Sequence, residues 1–434
     1  MIEGLLLILI LFLLIIIGVP VYISLGATGT IGLIIISLGR TLGNPLIVIP
    51  QSIYTGIGFF PLLAIPLFIF AGEIMNKTGI TQKLIRFSIM LIGKMPASLA
   101  NANILASMFF GGITGSAQAD TSAVGGVLIP AMEKEGYSKE VSVAVTAASS
   151  TVGPIIPPSI MMVIYGVSVG VSIGALFIGG LIPGIVIGLS LIGTVLILDR
   201  EHKFPRRKEE IPFKEKLIIT KEALWPLGMP IIIVGGILGG VVTPTEAGSL
   251  AVLYSLIVGF IILRSLKLKD LLIMLRHTAT LTAAVMMIIS CAKILSYVLT
   301  AFQLPALLGV FFNSISSSPY VFLLLVNILL IVMGTFMDGG ASVIIMAPIL
   351  TPLAISFGID PVHFGVVMVL NLIIGQGTPP LGLCLFIACG IAKLPVERGA
   401  KAILPFVGAE ILILLIVTYI PWFVLALPTY FGYI

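Results

Sequence analysis

Two short polar stretches in an otherwise apolar chain carry side chains that could bind a small cation and an organic anion. The first contains Ser116 and Asp120, and the second contains Asp338 and Ser342. Hydroxyl, carboxylate and carbonyl oxygens are the ligands that hard cations prefer, and a carboxylate within a membrane segment is a functional candidate because facing lipid is costly. Each aspartate could instead cap the N-terminus of a hairpin helix through backbone N–H groups. The two roles are compatible.

Each polar stretch is followed by a segment whose prolines must interrupt a helix. Residues 153–158 read Gly-Pro-Ile-Ile-Pro-Pro, and residues 375–380 read Gly-Gln-Gly-Thr-Pro-Pro. Proline lacks an N–H group and crowds the preceding turn, so each segment frees carbonyl oxygens and helix ends. One such break could be a simple proline kink satisfied by neighbouring helices. Two breaks at matched positions favour an ion or substrate site, as in transporters built from structural repeats.

These features recur at one constant offset of 222 residues. Ser116 aligns with Asp338 and Asp120 with Ser342, so the two stretches exchange the order of serine and aspartate. The other matched positions are glycines and prolines, which fix backbone shape: Gly18 and Gly240, Gly26 and Gly248, Gly112 and Gly334, Pro130 and Pro352, Gly136 and Gly358, Gly153 and Gly375, Pro157 and Pro379, Pro158 and Pro380. The chain therefore consists of two related halves.

The composition indicates an integral membrane protein. Hydrophobic residues make up 59% of the 434 residues and charged residues 9%, and the mean hydropathy is +1.23. Apolar runs long enough to cross a bilayer recur along the chain. The basic residues cluster between these runs, which indicates membrane orientation and not nucleic-acid binding. Three cysteines in apolar segments and three widely separated histidines predict no disulfide, metal cluster or catalytic residue.

Basic clusters give a membrane topology. The polar stretch 199–225 carries eight basic residues between the two halves and is placed in the cytoplasm. The apolar run 5–17 lacks a basic flank and a cleavage site, so we expect a retained first helix. Crossings are expected near 4–22, 25–40, 60–76, 141–170, 173–198, 226–243, 247–264, 278–300, 363–391 and 402–427, with re-entrant hairpins near 97–132 and 319–357.

We predict an all-α integral membrane protein with two inverted repeats, about ten crossing helices, two re-entrant hairpins and two broken helices. Residues 77–94 are basic and amphipathic, whereas the matching residues 299–316 contain no Lys or Arg, which favours inversion. The expected organisation is a first repeat at 1–198 (scaffold 1–94, transport elements 95–198), a cytoplasmic linker at 199–225 and a second repeat at 226–434 (scaffold 226–318, transport elements 319–434).

Each hairpin tip and helix break is predicted to form one Na⁺ site from backbone carbonyls assisted by hydroxyls. The predicted ligands are Thr114, Gly115, Ser116, Ser150 and Gly153 in the first repeat and Gly334, Asp338, Gly339, Gly375, Gly377 and Thr378 in the second. The substrate's carboxylate should meet bound Na⁺, small polar side chains and helix N-termini. The predicted substrate-binding residues are Ser116, Asp120, Ser150, Asp338, Ser342 and Thr378.

The hairpins and broken helices are the segments with polar interiors, so we expect them to move together while residues 4–40 and 226–264 form the scaffold. Lys293 is the clearest positive charge in an apolar segment, and it could contact substrate, reach toward the surface or pair with a carboxylate. Because positive charges are so few, the membrane site should bind an anion weakly.

Five motifs resemble the large membrane subunit of tripartite ATP-independent periplasmic (TRAP) transporters: PLLAIPLFIFAG at 61–72, GSAQAD at 115–120, LIPAM at 128–132, GPIIPPS at 153–159 and TPTEAG at 243–248. The resemblance covers nearly the whole chain. It implies an elevator-type secondary transporter of a bacterial or archaeal cytoplasmic (inner) membrane, driven by a sodium gradient. It also implies a small membrane subunit and an extracytoplasmic substrate-binding protein that delivers an organic acid, such as a C4-dicarboxylate or sialic acid.

Other classes of function fit the sequence less well. A membrane enzyme would need His, Cys or carboxylate groups gathered at one depth, and a channel would need a continuous pore. Matched hairpins entering from opposite faces indicate an occluded site near the middle of the membrane. The remaining alternative is a stand-alone carboxylate carrier, coupled to sodium or protons, that needs no binding protein.

Overall fold

The computed structural model describes residues 2–39, 45–206, 211–304, 309–310 and 316–434. In these ranges the chain forms nineteen α-helices, short 3₁₀ turns and one π-helical turn, without strands. Nine of the described helical segments are long and apolar enough to cross a membrane. Many apolar side chains on them are exposed, such as Leu38 at 84% and Ile231 at 68%. The all-α membrane architecture is confirmed.

The first half contains ten helices. They are α1 (Ile2–Ile16), α2 (Val21–Gly39), α3 (Val48–Ile57), α4 (Ala64–Lys77), α5 (Ile80–Ile92), α6 (Ser98–Thr114), α7 (Ala117–Lys134), α8 (Lys139–Ser150), α9 (Ile160–Val169) and α10 (Ile173–His202). Helices α6 and α7 form the first hairpin, and α8 and α9 are the two parts of the first broken helix.

The second half contains nine described helices. They are α11 (Phe213–Leu238), α12 (Pro244–Ile257), α13 (Leu268–Ala301), α14 (Pro319–Phe336), α15 (Gly339–Ser356), α16 (Pro361–Gly377), α17 (Leu383–Ala392), α18 (Val396–Tyr419) and α19 (Trp422–Tyr430). Helices α14 and α15 form the second hairpin, and α16 and α17 are the parts of the second broken helix.

Helix boundaries repeat at the same offset as the sequence. Adding 222 to the first residues of α6, α7, α8, α9 and α10 (98, 117, 139, 160 and 173) gives 320, 339, 361, 382 and 395. The helices α14 to α18 begin at 319, 339, 361, 383 and 396, so each pair agrees within one residue. Both predicted hairpins and both predicted helix breaks are therefore present at matched positions.

The halves differ in the segments that the sequence predicted as scaffold. Helices α3 and α4 are separated by the turn at Gly58 to Leu63, whereas the matching stretch of the second half lies within α13, which runs unbroken for 34 residues. Pro61 and Pro66 are present only in the first half at these positions, and proline in a helix interior removes a backbone donor. The prolines therefore explain why one half divides a helix that the other keeps whole.

Two predicted segments fall partly outside the described residues. Residues 207–210, including the basic Arg207 and Lys208, lie within the predicted linker 199–225, into which α10 and α11 both extend. Of the predicted counterpart to residues 77–94, residues 305–308 and 311–315 are likewise not described.

The hairpins and broken helices of both repeats pack against one another. Helix α7 packs on α8 of its own repeat and on α17 of the other, and α15 packs on α16 of its own repeat and on α9 of the other. Elsewhere α13 packs on α2 and α3, and α12 packs on α4. The polar elements of the two halves thus pack on one another.

Candidate functional site

The first hairpin tip is a sharp turn that rests on the first helix break. Gly115 follows the last residue of α6, and its φ of +60° is a left-handed conformation suited to glycine. Ser116 then caps α7, its hydroxyl accepting the amide of Ala119 at 3.4 Å. A β-carbon on Gly115 would lie 2.5 Å from the carbonyl oxygen of Pro158, so the tip and the break meet through their backbones.

The first break itself is enclosed. Residues 151–159 separate α8 from α9, and all of them are buried except Ile156, which is half-buried. A β-carbon on Gly111 of α6 would overlap the backbone of Gly153, so this approach requires glycine at position 111. The Ser150 hydroxyl donates to the Thr146 carbonyl at 2.7 Å. The lone pairs of the Ser150 hydroxyl oxygen can still accept a hydrogen bond or bind a cation.

Asp120 lies beside this enclosed break. Its side chain is 0% exposed, and neither carboxylate oxygen accepts a hydrogen bond of standard geometry, although the Ser107 and Ser150 hydroxyls lie close to the carboxylate. A β-carbon on Gly153 would lie 3.8 Å from Asp120 Oδ2 and 3.5 Å from the Ser150 carbonyl oxygen, so these oxygens converge on one place. The Thr114 hydroxyl oxygen is also buried without a partner. Burying a carboxylate is costly, and the oxygens of Asp120 and Ser150 suit a hard cation such as Na⁺.

The second hairpin tip repeats the backbone arrangement with a different cap. Asp338 caps α15, and its Oδ2 accepts the amides of Gly340 at 2.9 Å and Ala341 at 3.3 Å. A β-carbon on Gly334 would lie 3.1 Å from the Gly375 Cα, so this hairpin also approaches its break through glycines. Ser342, in the first turn of α15, is 0% exposed and its hydroxyl has no partner.

The second break is more open than the first. Residues 378–382 separate α16 from α17, and Pro380 and Leu381 are exposed. The Thr378 hydroxyl donates to the Ile374 carbonyl at 2.7 Å, and Gly382 donates its amide to the Thr335 carbonyl of the hairpin at 3.3 Å. Gly377 lies near the first break, because a β-carbon there would be 3.2 Å from Thr151 Cγ2.

A glutamine joins the two hairpin tips. Gln118 Nε2 donates to Asp338 Oδ1 at 3.1 Å and to Gln376 Oε1 at 3.2 Å, and the Ser116 hydroxyl donates to Gln118 Oε1 at 3.1 Å. Among the predicted site residues, Ser116 and Asp338 are thus brought together across the repeats. Asp120, Ser150 and Gly153 form a separate, deeper group.

Four polar residues of this region were not among the predicted site residues. Gln118 and Gln376 form the bridge between the tips. Thr151 donates to Glu410 of α18, a fully buried carboxyl group, at 2.5 Å. A signal for Gln376 was its place between Gly375 and Gly377 in a membrane segment, where polar groups are costly. Glu410 had the same signal within an apolar run of α18.

Other polar residues in the membrane segments hold helices together. Asn103 donates to the Thr146 hydroxyl at 2.7 Å, and Asn371 donates to Asn327 at 2.8 Å, so both link neighbouring helices. Lys293 of α13 donates to the Thr55 carbonyl of α3 at 3.1 Å. Glu246 forms a capping box with Thr243 at the start of α12. Asn103, Asn371 and Glu246 therefore have structural roles in this part of the molecule.

Comparisons with known proteins agree on one group. A family model described as the tripartite ATP-independent periplasmic transporter, DctM component, matches residues 8–423. The C4-dicarboxylate TRAP transporter large permease protein DctM of Vibrio cholerae is 38% identical over 440 residues, covering 95% of this chain and 95% of that protein. The isethionate TRAP transporter permease protein DctMQ of Oleidesulfovibrio alaskensis is 37% identical over 417 residues, covering 96% of this chain and 64% of that protein.

A solved structure shares the fold. The YdaH transporter of Alcanivorax borkumensis matches with a TM-score of 0.64 over 98% of this chain and 99% of that chain, at 14% sequence identity. At this identity the similarity concerns the arrangement of the helices. It supports the arrangement of hairpins and broken helices described above.

Proposed function

The chain belongs to the DctM component family of tripartite ATP-independent periplasmic transporters, and from this premise we propose that it carries an organic acid into the cell together with Na⁺. Family membership makes it a multi-pass transporter component of the bacterial inner membrane and not an enzyme. The finer proposal adds the coupling ion, the partners and the class of substrate.

The observation that carries the proposal is the pair of helix breaks, each met by a hairpin tip through glycines. Such breaks expose carbonyl oxygens and helix ends inside the protein, where they can bind an ion and an anion without facing lipid. Near the first break, Asp120 and Thr114 add buried oxygens that make no hydrogen bond of standard geometry. We propose that Na⁺ is bound there as a transported ion, and that a second Na⁺ binds between the second tip and Gly375 to Thr378.

We propose that the substrate's anionic group binds where the tips meet. Helices α7 and α15 both begin at these tips. Gln118 bonds to Asp338 and to Ser116 there. Helix N-termini attract anions because their first amides lack partners within the helix. The relatives' names point to a C4-dicarboxylate or a sulfonate, isethionate, as substrates of those proteins. A small organic anion is the class that both names share.

We propose that the hairpins and broken helices move as one body against the scaffold. The support is the packing of α7 on α17 and of α15 on α9, which ties both repeats' polar elements together. A rigid cross-link between a hairpin and scaffold helix α2 or α12 should therefore stop transport. Full uptake after complete cross-linking contradicts the elevator proposal.

The proposed partners are a small membrane subunit and an extracytoplasmic substrate-binding protein. The longer isethionate relative, of which this chain covers 64%, has a further region that this chain does not match. In the alternative, a stand-alone carrier, the membrane site itself must bind free substrate tightly enough for uptake.

The deciding experiment is uptake of labelled organic acids into proteoliposomes that contain this chain with its small subunit. We expect uptake only with an inward Na⁺ gradient and the cognate binding protein. Uptake without the binding protein favours the stand-alone carrier. Uptake that follows a proton gradient and ignores Na⁺ contradicts the proposed coupling.

A further inference from the structure

We propose that the Asp338 carboxylate occupies the place that the anionic group of the substrate takes during transport. Substrate then binds only after this carboxylate has left its position at the start of α15. The inference rests on the proposed function, because it takes the substrate to be an organic anion. It adds a competitor that is built into the binding site.

Both oxygens of Asp338 accept hydrogen bonds from donors that would equally suit the carboxylate of a bound small molecule. Oδ2 accepts the amides of Gly340 and Ala341 at 2.9 and 3.3 Å, and Oδ1 accepts the side-chain amide of Gln118 at 3.1 Å. The first two donors belong to a helix N-terminus, which favours negative charge. The third comes from the hairpin of the other repeat, 220 residues away in sequence.

Two buried polar groups at the same helix end lack partners. Gln376 is 0% exposed and its Nε2 has no hydrogen-bond partner, although its Oε1 accepts from Gln118. A β-carbon on Gly339, the first residue of α15, would lie 2.5 Å from this Nε2, so the unused donor points at the helix start. Ser342, also 0% exposed, has an unpartnered hydroxyl one turn along. Donors are therefore available beyond those that Asp338 uses.

Asp360 is an aspartate cap whose hydrogen bonds in the described part of the chain all come from its own helix, so it serves as a comparison for Asp338. It caps α16 through the amides of Val362 at 2.7 Å and His363 at 3.1 Å, all within its own helix. Asp338 caps α15 in the same way but also accepts an amide from the opposite repeat. Asp338 is exposed, so its side chain has room to turn away while the buried donors stay in place.

The arrangement couples anion binding to a cation. Two carboxylates at one set of donors repel each other, so an entering anion and Asp338 cannot share the site while both are charged. A cation that binds the displaced Asp338 carboxylate removes this repulsion. Na⁺ at the second break is such a cation in the proposed function, and substrate affinity should therefore rise with Na⁺.

Acetate tests the inference without knowledge of the substrate, because it presents a carboxylate group with only a methyl group attached. The purified complex is titrated with potassium acetate against potassium chloride, and the unfolding temperature is recorded for wild type, Asp338→Asn and Asp360→Asn. Asparagine keeps a capping oxygen but carries no charge, so the helix start is preserved while an entering acetate meets no like charge. We expect Asp338→Asn to reach half-saturation at about one-tenth of the wild-type acetate concentration or less, and Asp360→Asn to match wild type.

Two further arms separate the inference from a simple change in stability. Replacing K⁺ by Na⁺ should strengthen acetate binding to wild type and have little effect on Asp338→Asn. Adding Gln118→Leu to Asp338→Asn should weaken acetate binding, because it removes a shared donor. Acetate binding that is equal or weaker in Asp338→Asn overturns the inference. The proposed function fails separately, if no organic anion crosses proteoliposomes that contain the wild-type complex.

Discussion

The two helix breaks use the same backbone device in different surroundings. In the first, residues 151–159 are enclosed, and the neighbouring Asp120 is 0% exposed and accepts no hydrogen bond of standard geometry. In the second, Leu381 is 52% exposed and Asp338 is exposed but held by three donors. The duplication thus preserved the shape of the break and changed the position of the carboxylate. The enclosed break has room for a cation alone in the proposed function, whereas the open break leaves space for an exchangeable anion beside the second proposed Na⁺.

The largest expected effect comes from the glycine contacts that both breaks share. A β-carbon on Gly111 would overlap the Gly153 backbone, whereas one on Gly126 of α7 would meet nothing within 4 Å. Gly111→Ala should destabilise the protein by about 1–3 kcal/mol through overpacking and abolish Na⁺-dependent uptake. The measurements are thermal unfolding and uptake. Gly126→Ala is the matched control and should retain both, so equal behaviour of the two variants contradicts the model of backbone contact.

A second test asks whether the enclosed carboxylate binds the cation. Asp120→Asn replaces a buried carboxyl group whose charged form is costly without a bound cation, so stability in K⁺ should not fall. The Na⁺ concentration that gives half the stabilisation should increase at least about tenfold, or about 1.4 kcal/mol. Thermal unfolding across a Na⁺ series measures both. An unchanged Na⁺ midpoint, with Asp360→Asn as control, removes Asp120 from the cation site.

A third test compares the accessibility of the two breaks. Ile155 is 0% exposed in the first break and Leu381 is 52% exposed in the second. Single cysteines at these positions, in a background lacking Cys291, Cys384 and Cys389, are treated with a membrane-impermeant maleimide in detergent. Leu381→Cys should react completely while Ile155→Cys remains unlabelled. Equal labelling means that the first break opens as readily as the second.

The smallest expected effect concerns Lys293 of α13. Its ammonium donates to the Thr55 carbonyl of α3, so it lies outside both breaks. Lys293→Met should change the substrate concentration for half-maximal uptake by less than about twofold, or under 0.5 kcal/mol. A large increase that Lys293→Arg restores assigns Lys293 to the substrate's route instead.

Much of the architecture could be predicted from glycine and proline alone. Both hairpins, both breaks and the offset of 222 appear in the structure at the expected positions, because these residues act through local backbone geometry. The sequence did not predict that α3 and α4 are separate helices where the matching stretch of the second half is the single helix α13. The expected crossing at 60–76 included the prolines, but their effect on the preceding helix depends on how α3 packs against α13.

The site was predicted as residue types and not as contacts. Ser116 and Asp338 were correctly placed at hairpin tips, but the Gln118 that joins them was not among the predicted site residues. Glu410, buried against Thr151, belongs to a helix far from either motif. No periodicity or spacing relates these positions, since their partners come from other parts of the chain.

The sequence by itself determined that the chain lies in a membrane, that it is built twice, and where its helices break. Proline acts on the local backbone, and hydrophobicity and duplication are properties of the whole chain. All three are therefore evident from the amino-acid sequence. Only the tertiary structure decided which aspartate is enclosed and which is exposed, because burial depends on helices contributed by both halves. The same packing brings Gln118 to Asp338 across 220 residues, and this contact relates the two repeats chemically.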